Sequence, residues 1–158
     1  MVRIPKAYLD TSVFNFVFDD SDPCRRLDTL KFFERIKEGR YAPCTSRYAI
    51  DELSRAPSPK RELMLALPGE YGMEVFPADA EAERLADVYI ARGIIPPRFL
   101  IDACHIAIAA INGVDFIVSL NFRHVVKRKT IEMTEMVNYI EGYKKVGIYS
   151  PAEVIEDE

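Results

Sequence analysis

The chain has 158 residues, of which 49% are hydrophobic and 29% charged, with a formal net charge of -4. These values are typical of one globular domain, and the negative charge excludes a generally basic coat for nucleic acid. The sequence contains no run of eighteen apolar residues and no basic segment followed by an apolar one at its N-terminus. We therefore expect neither a membrane span nor a secretion signal, and we expect the protein to act in the cytoplasm.

The first apolar run, at about residues 4–9, predicts a short strand that ends at Asp10, and helices are predicted near 12–19 and 24–38. A carboxylate directly after a strand lies where parallel sheets place ligand sites, outside the carboxyl ends of the strands. The alternative is that Asp10 or Thr11 only caps the following helix by accepting hydrogen bonds from free backbone amides. Asp10 is the first candidate site residue.

Residues 41–45 predict a second strand, and residues 47–55 predict a helix that Ser46 caps. Asp51 and Glu52 are adjacent in this helix, so only one of them points with a given face. An aromatic residue four positions before Glu52 marks the inward face. We therefore predict that Glu52, rather than its neighbour, belongs to the site.

The middle of the chain continues this alternation, with a helix at 60–67, a strand at 73–76 and a helix at 78–92. Residues 99–111 then predict a helix that is apolar almost all round and must be buried on most faces. Asp102 is its one carboxylate. A buried ionised carboxylate is costly unless it is paired or binds metal, so Asp102 needs a partner, which is either a cation such as Mg²⁺ or Arg98 four residues earlier.

The last predicted elements are a strand at 115–120 that leads to Asn121, a helix at 130–145 and a strand at 146–149, followed by a final segment at 151–155. Strands separated by helices favour parallel pairing with helices on both faces of the sheet. The fold class is therefore α/β. Because the strands end at one edge, Asp10 and Asn121 can meet there, with Asp102 and Glu52, as hard oxygen ligands for a divalent cation.

Two segments are rich in basic residues, at 25–40 and at 123–129. Either can contact phosphate, although such runs are also typical of solvated helix faces. The three cysteines lack the paired spacing of zinc or redox sites and are expected to be reduced. Cys104 and His105 are neighbours on a helix and point about 100° apart, which argues against a thiol nucleophile with its base.

Three segments together resemble the PIN domain family and, within it, the toxin ribonucleases of VapC type. They are Leu9-Asp10-Thr11-Ser12-Val13, then Ser46 with Asp51-Glu52-Leu53, and finally Asp102 to Ala109 followed by Asp115 to Phe122. Their order and spacing match the family along nearly the whole chain. The resemblance implies a single three-layer α/β/α domain over residues 1–158, with a mainly parallel central sheet, that binds Mg²⁺ or Mn²⁺ and hydrolyses RNA. It also implies a small antitoxin protein as partner.

The resemblance assigns roles by position. Asp10 and Asp102 would be the principal metal ligands, and Glu52 would reach the metal directly or through water and orient the attacking water. Ser119 would steady the next acidic position. Asn121 stands where the family often has that aspartate, and its carbonyl oxygen brings no charge, so one-metal chemistry is favoured over two.

The basic residues beyond the last strand have a predicted role as well. Arg123 stands where the family often has a further aspartate, and we expect Arg123, His124 and Lys127 to contact the RNA backbone. His105, by contrast, is interpreted as a hydrogen-bonded core residue rather than a catalytic base.

Two other function classes stay open. One is a PIN-fold module that binds RNA or a protein partner without cleavage, which Asn121 favours because a neutral ligand weakens metal binding. The other is a phosphatase of the haloacid dehalogenase type, which Ser12 argues against because those enzymes have a second acid there. A homodimer is also predicted from the apolar surplus of the early helices, namely Phe14, Phe16, Val17, Phe18, Phe32 and Phe33.

Overall fold

A five-stranded parallel sheet forms the centre of the computed structural model, which describes residues 3–121 and 128–156. Its strands are β1 (Lys6–Leu9), β2 (Ala42–Ser46), β3 (Glu74–Phe76), β4 (Phe116–Val118) and β5 (Gly147–Tyr149). Their spatial order is β3-β2-β1-β4-β5, and every pairing is parallel. The chain therefore builds outward from β1 in one direction and then in the other. The crevice between the carboxyl ends of β1 and β4 is the switch point where α/β folds bind ligands.

Helices cover both faces of this sheet. They are α1 (Thr11–Val17), α2 (Pro23–Lys37), α3 (Arg47–Leu53), α4 (Lys60–Glu70), α5 (Ala80–Ala91), α6 (Leu100–Ile111), α7 (Arg128–Ile140) and α8 (Pro151–Glu156). One hydrophobic cluster joins the sheet to α5, α6 and α7, and the other joins it to α1, α2, α4 and α8. The predicted three-layer α/β/α fold with a parallel central sheet is confirmed.

Strand β1 shows why the sheet needs helices on both sides. Ala7, Tyr8 and Leu9 are all fully buried, with Tyr8 in one hydrophobic cluster and the other two residues in the opposite one. Successive side chains of a strand point to opposite faces, so an uninterrupted apolar run is stable only when both faces are covered. The strand is thereby fixed in the middle of the molecule, and its carboxyl end is fixed with it.

Helix α6 is buried along most of its length. Eight consecutive residues, 103–110, are buried, and Ile106 and Ile108 are among the largest fully buried side chains. The prediction of a helix apolar on almost all faces is confirmed. Asp102 lies in the first turn of this helix, so its position is set by a rigid element of the core.

Several predicted boundaries differ from those observed, each for a local reason. Helix α5 begins at Ala80 rather than at 78, because the Asp79 side chain accepts a hydrogen bond from the Glu81 amide at 2.7 Å. Helix α4 continues past Pro68, which lies in its last turn. Helix α7 ends at 140 rather than 145, before Gly142 takes the left-handed conformation with φ of 90°. None of the helices within the described ranges is both long and apolar enough to cross a membrane.

Truncation of a core residue between α5 and the sheet is expected to destabilise the fold. Leu85 is fully buried, so Leu85→Ala should lower the free energy of unfolding by about 2–5 kcal/mol, measured by urea denaturation. Leu63 is 49% exposed, and Leu63→Ala is the matched control, with an expected change below about 1 kcal/mol. Equal losses in the two variants would contradict the described core.

Candidate active site

Two of the predicted acidic residues, Asp10 and Glu52, lie close enough to Asp102 to affect its ionisation. Asp10 follows β1, Glu52 lies in α3 and Asp102 begins α6. The pKa of Asp102 is raised to about 6, mainly by burial. The negative charges of Asp10 and Glu52 contribute to this rise, and the charge of His105 opposes it. The fold thus brings together residues that are separated by more than forty positions in the sequence.

Asp10 is buried and firmly oriented. Its side chain is 2% exposed, and one oxygen accepts hydrogen bonds from the amide and the hydroxyl of Ser12, at 3.0 and 2.5 Å. The other oxygen accepts a hydrogen bond from the Ser119 hydroxyl at 2.5 Å. Burial raises the pKa of Asp10, while the charge of His105 and the two serine hydrogen bonds oppose that rise. Asp10 also caps α1, as the alternative expected, because its side chain accepts the hydrogen bond from the Ser12 amide.

The two serines join the ends of β1 and β4. The Ser12 hydroxyl accepts a hydrogen bond from the Leu120 amide at 2.8 Å, and the Ser119 hydroxyl accepts one from the Asn121 amide at 3.1 Å. Ser119 was predicted to steady the position of Asn121, and it contacts both that backbone and Asp10. The Asn121 residue is exposed and lines a groove beside Ser12.

Glu52 points toward the site, as its helical position predicted. Its side chain is 33% exposed, and its Oε1 atom lies 2.7 Å from Nε2 of His105. The neighbouring Asp51 is exposed and pairs instead with Arg47, 3.2 Å away. The structure therefore separates the two adjacent acids as the sequence predicted.

His105 is buried and bonded at both ring nitrogens, as expected of a core histidine. Its side chain is 1% exposed, and Nδ1 lies 2.6 Å from the Tyr8 hydroxyl, which lies 2.6 Å from the Ser46 hydroxyl. Ser46 was predicted to cap α3, but its side chain makes no capping hydrogen bond because it faces Tyr8. The sequence did not indicate that His105 contacts Glu52. Asp102 and His105 are three residues apart and so lie on one side of α6. This spacing was the feature of the sequence that could have placed His105 near the acidic residues.

An ion pair between Asp102 and Arg98 was the alternative explanation of the buried acid, and it is wrong. No such pair forms within the part of the chain that the structure describes. The guanidinium of Arg98 lies instead over the ring of Phe99, 4.8 Å from its centroid. The charged groups that act on Asp102 are instead His105, Asp10 and Glu52.

A groove of about 240 Å³ opens beside the acidic residues. It is lined by Thr11, Ser12, Asn15, Phe16, Glu52, Leu53, Ala56, Met64 and Asn121. Its polar lining groups belong to α1, to α3 and to Asn121, and apolar side chains from α1, α3 and α4 complete the lining. The groove therefore offers a ligand both hydrogen-bonding and apolar contacts next to Glu52.

Other sequence candidates have different outcomes. Arg123, His124 and Lys127 lie outside the described residues, so their contacts with RNA stay predictions. In the basic segment 25–40, Arg25 pairs with an acid at 3.4 Å and further arginines are paired similarly, as the solvated-face alternative expects. Cys104 is buried and unbonded to another cysteine, and burial raises the pKa of its thiol to about 11, so it is a poor nucleophile.

The donor atoms suit magnesium. Among residues 3–121 and 128–156, no three His, Cys, Asp or Glu side chains cluster as a ready-made metal site. Mg²⁺, however, keeps several waters and typically takes one or two protein carboxylates, which Asp10 and Asp102 can supply. A divalent cation would also offset the burial and the repulsion by neighbouring acids that together raise the pKa of Asp102.

Two solved structures share this arrangement of strands and helices. VapC20 of Mycobacterium tuberculosis, a toxin that cleaves the Sarcin-Ricin loop, aligns with a TM-score of 0.58 at 16% identity, over 89% of this chain and 98% of that chain. VapBC2 from Rickettsia felis, bound to a DNA fragment from their promoter, aligns with a TM-score of 0.54 at 12% identity, over 92% and 98% of the respective chains. This chain has the VapC fold. The PIN-like fold that the three sequence segments predicted is confirmed.

The sequence comparisons add nothing to the VapC fold assignment. No protein-family model matches the chain, and no curated protein matches it significantly. At the identities of the two VapC structures, the likeness establishes the fold alone.

Removing the charge of Asp102 is expected to stabilise the metal-free protein near neutral pH. Its folded pKa of about 6 lies above the value of an unfolded aspartate, so the folded state binds more protons in that range and stability falls as the pH rises from about 4 through about 6. Asp102→Asn should raise the melting temperature in chelator by roughly 2–4 °C at about pH 7.5 and change it little below about pH 4.

The matched control for this measurement is Asp51→Asn, because Asp51 is exposed and paired with Arg47. This variant should show no rise in melting temperature near neutral pH. If Asp102→Asn had the wild-type melting temperature at every pH, the raised pKa of Asp102 in the folded protein would be contradicted.

Proposed function

We propose that the protein is a metal-dependent endoribonuclease of VapC type with Asp10, Glu52 and Asp102 as its acidic centre. The observation that carries the proposal is the buried Asp10, held by Ser12 and Ser119 at the switch point of a VapC fold, with Asp102 close enough to be affected by its charge. Acids that repel each other in a metal-free protein are a frequent mark of a functional site. Mg²⁺ or Mn²⁺ is the cofactor that the oxygen donors suit.

Each acid has a distinct task in this proposal. Asp10 and Asp102 would hold the cation, and Ser12 and Ser119 keep the Asp10 carboxylate in one orientation. When bound, the cation neutralises charge that develops on the phosphate and lowers the pKa of bound water. Within the described chain a hydrogen bond reaches only Oε1 of Glu52, which leaves Oε2 able to accept a proton.

The reaction is a hydrolysis of the phosphodiester. Glu52 accepts a proton from the attacking water, whose oxygen forms a new bond to phosphorus while the bond to the leaving sugar oxygen breaks. The leaving oxygen takes up a proton from solvent water, and Glu52 returns its proton to solvent. Asn121, at the rim of the groove, offers a neutral oxygen or amide to the phosphate or the cation. Its lack of charge favours a single metal ion.

The groove favours unpaired RNA as substrate. Phe16 and Met64 lie in the same groove as Glu52 and Asn121. Proteins that read single-stranded RNA stack splayed bases on aromatic side chains beside backbone contacts. The basic residues Arg123, His124 and Lys127 would add contacts to phosphate.

A small antitoxin is the proposed protein partner, and the VapBC2 complex supports it. The homodimer has weaker support than the sequence suggested, because Phe14, Phe32 and Phe33 are core residues. Exposed apolar side chains on α2 are instead Leu27 and Leu30.

A protein that binds RNA without cutting it is the second candidate. Asn121 favours it, because the neutral side chain removes one negative charge from the metal environment. The two candidates differ in one measurable property, which is turnover in the presence of Mg²⁺ or Mn²⁺.

Cleavage of a mixed pool of structured and single-stranded RNA should require both metal and the acidic centre. We expect products with Mg²⁺ or Mn²⁺, none with chelator, and losses of at least ~100-fold in Asp10→Ala and Asp102→Asn. Asp51→Asn is the control, because it removes an adjacent acid outside the site. Full activity of Asp102→Asn would remove that residue from the centre.

Binding of RNA without products under every condition would favour the second candidate. In that case Asn121→Asp tests whether a restored charge produces turnover. Cleavage by this variant alone would show that metal affinity was limiting.

Metal binding can be measured without RNA. Mg²⁺ at millimolar concentration should raise the melting temperature of the wild-type protein at about pH 7.5 and raise it less at about pH 5, where Asp102 is protonated. The rise should disappear in Asp102→Asn. An equal rise in wild type and variant would place the cation elsewhere.

A further inference from the structure

A chain of four hydrogen-bonded side chains leads from the interior of the sheet to the acidic centre. It runs from Ser46 at the end of β2 through Tyr8 in β1 and His105 in α6 to Glu52 in α3, with successive distances of 2.6, 2.6 and 2.7 Å. The first three side chains are at most 1% exposed, whereas Glu52 is 33% exposed. Four separate elements therefore converge on one surface carboxylate.

The direction of these hydrogen bonds follows from the end groups. An ionised Glu52 can only accept, so Nε2 of His105 must carry the hydrogen that meets Oε1. In the neutral ring Nδ1 then accepts from the Tyr8 hydroxyl, and Tyr8 accepts from Ser46. In the charged ring the last two bonds reverse, but the bond to Glu52 does not. The contact between His105 and Glu52 therefore forms in both protonation states.

This arrangement restricts a side chain that would otherwise be mobile. A glutamate at a helix surface samples several rotamers and loses that freedom only when a partner fixes it. The His105 ring is held by its burial in α6 and by its hydrogen bond with Tyr8. Its hydrogen bond to Glu52 therefore holds that carboxylate in one position. One carboxylate oxygen is engaged and the other is left for the groove.

We propose that His105 is a positioning residue for Glu52, supported from behind by Tyr8 and Ser46. The proposal rests on the ribonuclease function proposed above and extends it. Glu52 acts with one oxygen on His105 and with the other on the attacking water, so it does not bind a cation through both oxygens. His105 itself does not touch the reacting atoms.

Two substitutions of His105 separate positioning from packing. His105→Leu removes the donor, and we expect kcat to fall about 10–100-fold with little change in KM, as for residues that orient a functional group. His105→Gln keeps an N–H donor and should recover most of the lost activity. Comparable losses of kcat in both variants would overturn the proposal.

A double-mutant cycle tests whether His105 acts through Glu52. In single-turnover assays His105→Leu should cause no further loss when Glu52 is already glutamine, because the carboxylate it orients is absent. A merely structural histidine would lower activity equally in both backgrounds. That result would overturn the proposal.

Nuclear magnetic resonance decides the same question without RNA cleavage. The chain has two histidines, so His124→Gln assigns the ring signals. We expect ¹⁵N spectra in which Nε2 of His105 is protonated and in which Glu52→Gln shifts that signal, whereas the control Asp51→Asn leaves it unchanged. An unprotonated Nε2, or a signal that Glu52→Gln does not move, would overturn the proposal.

The two kinds of experiment fail independently. Absence of RNA cleavage by the wild-type protein would contradict the proposed function, while the ring signals of His105 would still report its contact with Glu52. If cleavage requires Asp10 but is unaffected in His105→Leu, the proposed function stands and the positioning role of His105 is contradicted.

Discussion

Burial of carboxylates at one edge of the sheet is the constraint on which the rest of this structure depends. Asp10 is almost fully buried, and taking an ionised carboxylate out of water is costly unless hydrogen bonds or a cation replace the lost hydration. Ser12 and Ser119 replace part of it. Among residues 3–121 and 128–156 no donor forms a hydrogen bond with the Asp102 carboxylate, and burial raises its pKa to about 6.

The core supplies the rigidity that keeps these acids together. Strand β1 is covered on both faces, and α6 is buried along eight consecutive residues, so neither can shift to let the carboxylates separate. Densely packed interiors transmit such constraints, whereas acids on exposed loops would relax apart. Folding free energy from the apolar layers thus offsets the repulsion at the edge.

The sequence predicted those features that depend on local pattern and topology. Strand and helix periodicity predicted three of them. These are the position of Asp10 after a buried strand, the inward direction of the Glu52 side chain and the burial of α6. The contact of His105 with Glu52 and the diversion of Ser46 from its cap to Tyr8 depend on distances across several elements. No single segment encodes such contacts. The Arg98 pairing failed for the same reason, since spacing along a helix did not reveal the Phe99 ring.

Asp10 has two physical tasks, since one carboxylate caps α1 and also faces the other acids. Asparagine is as good a helix cap as aspartate but carries no charge. Asp10→Asn would therefore keep the N-terminal end of α1 capped while it removes the most buried charge of the acidic centre. For the proposed ribonuclease, this one substitution would therefore remove cleavage while it leaves the fold and the groove in place.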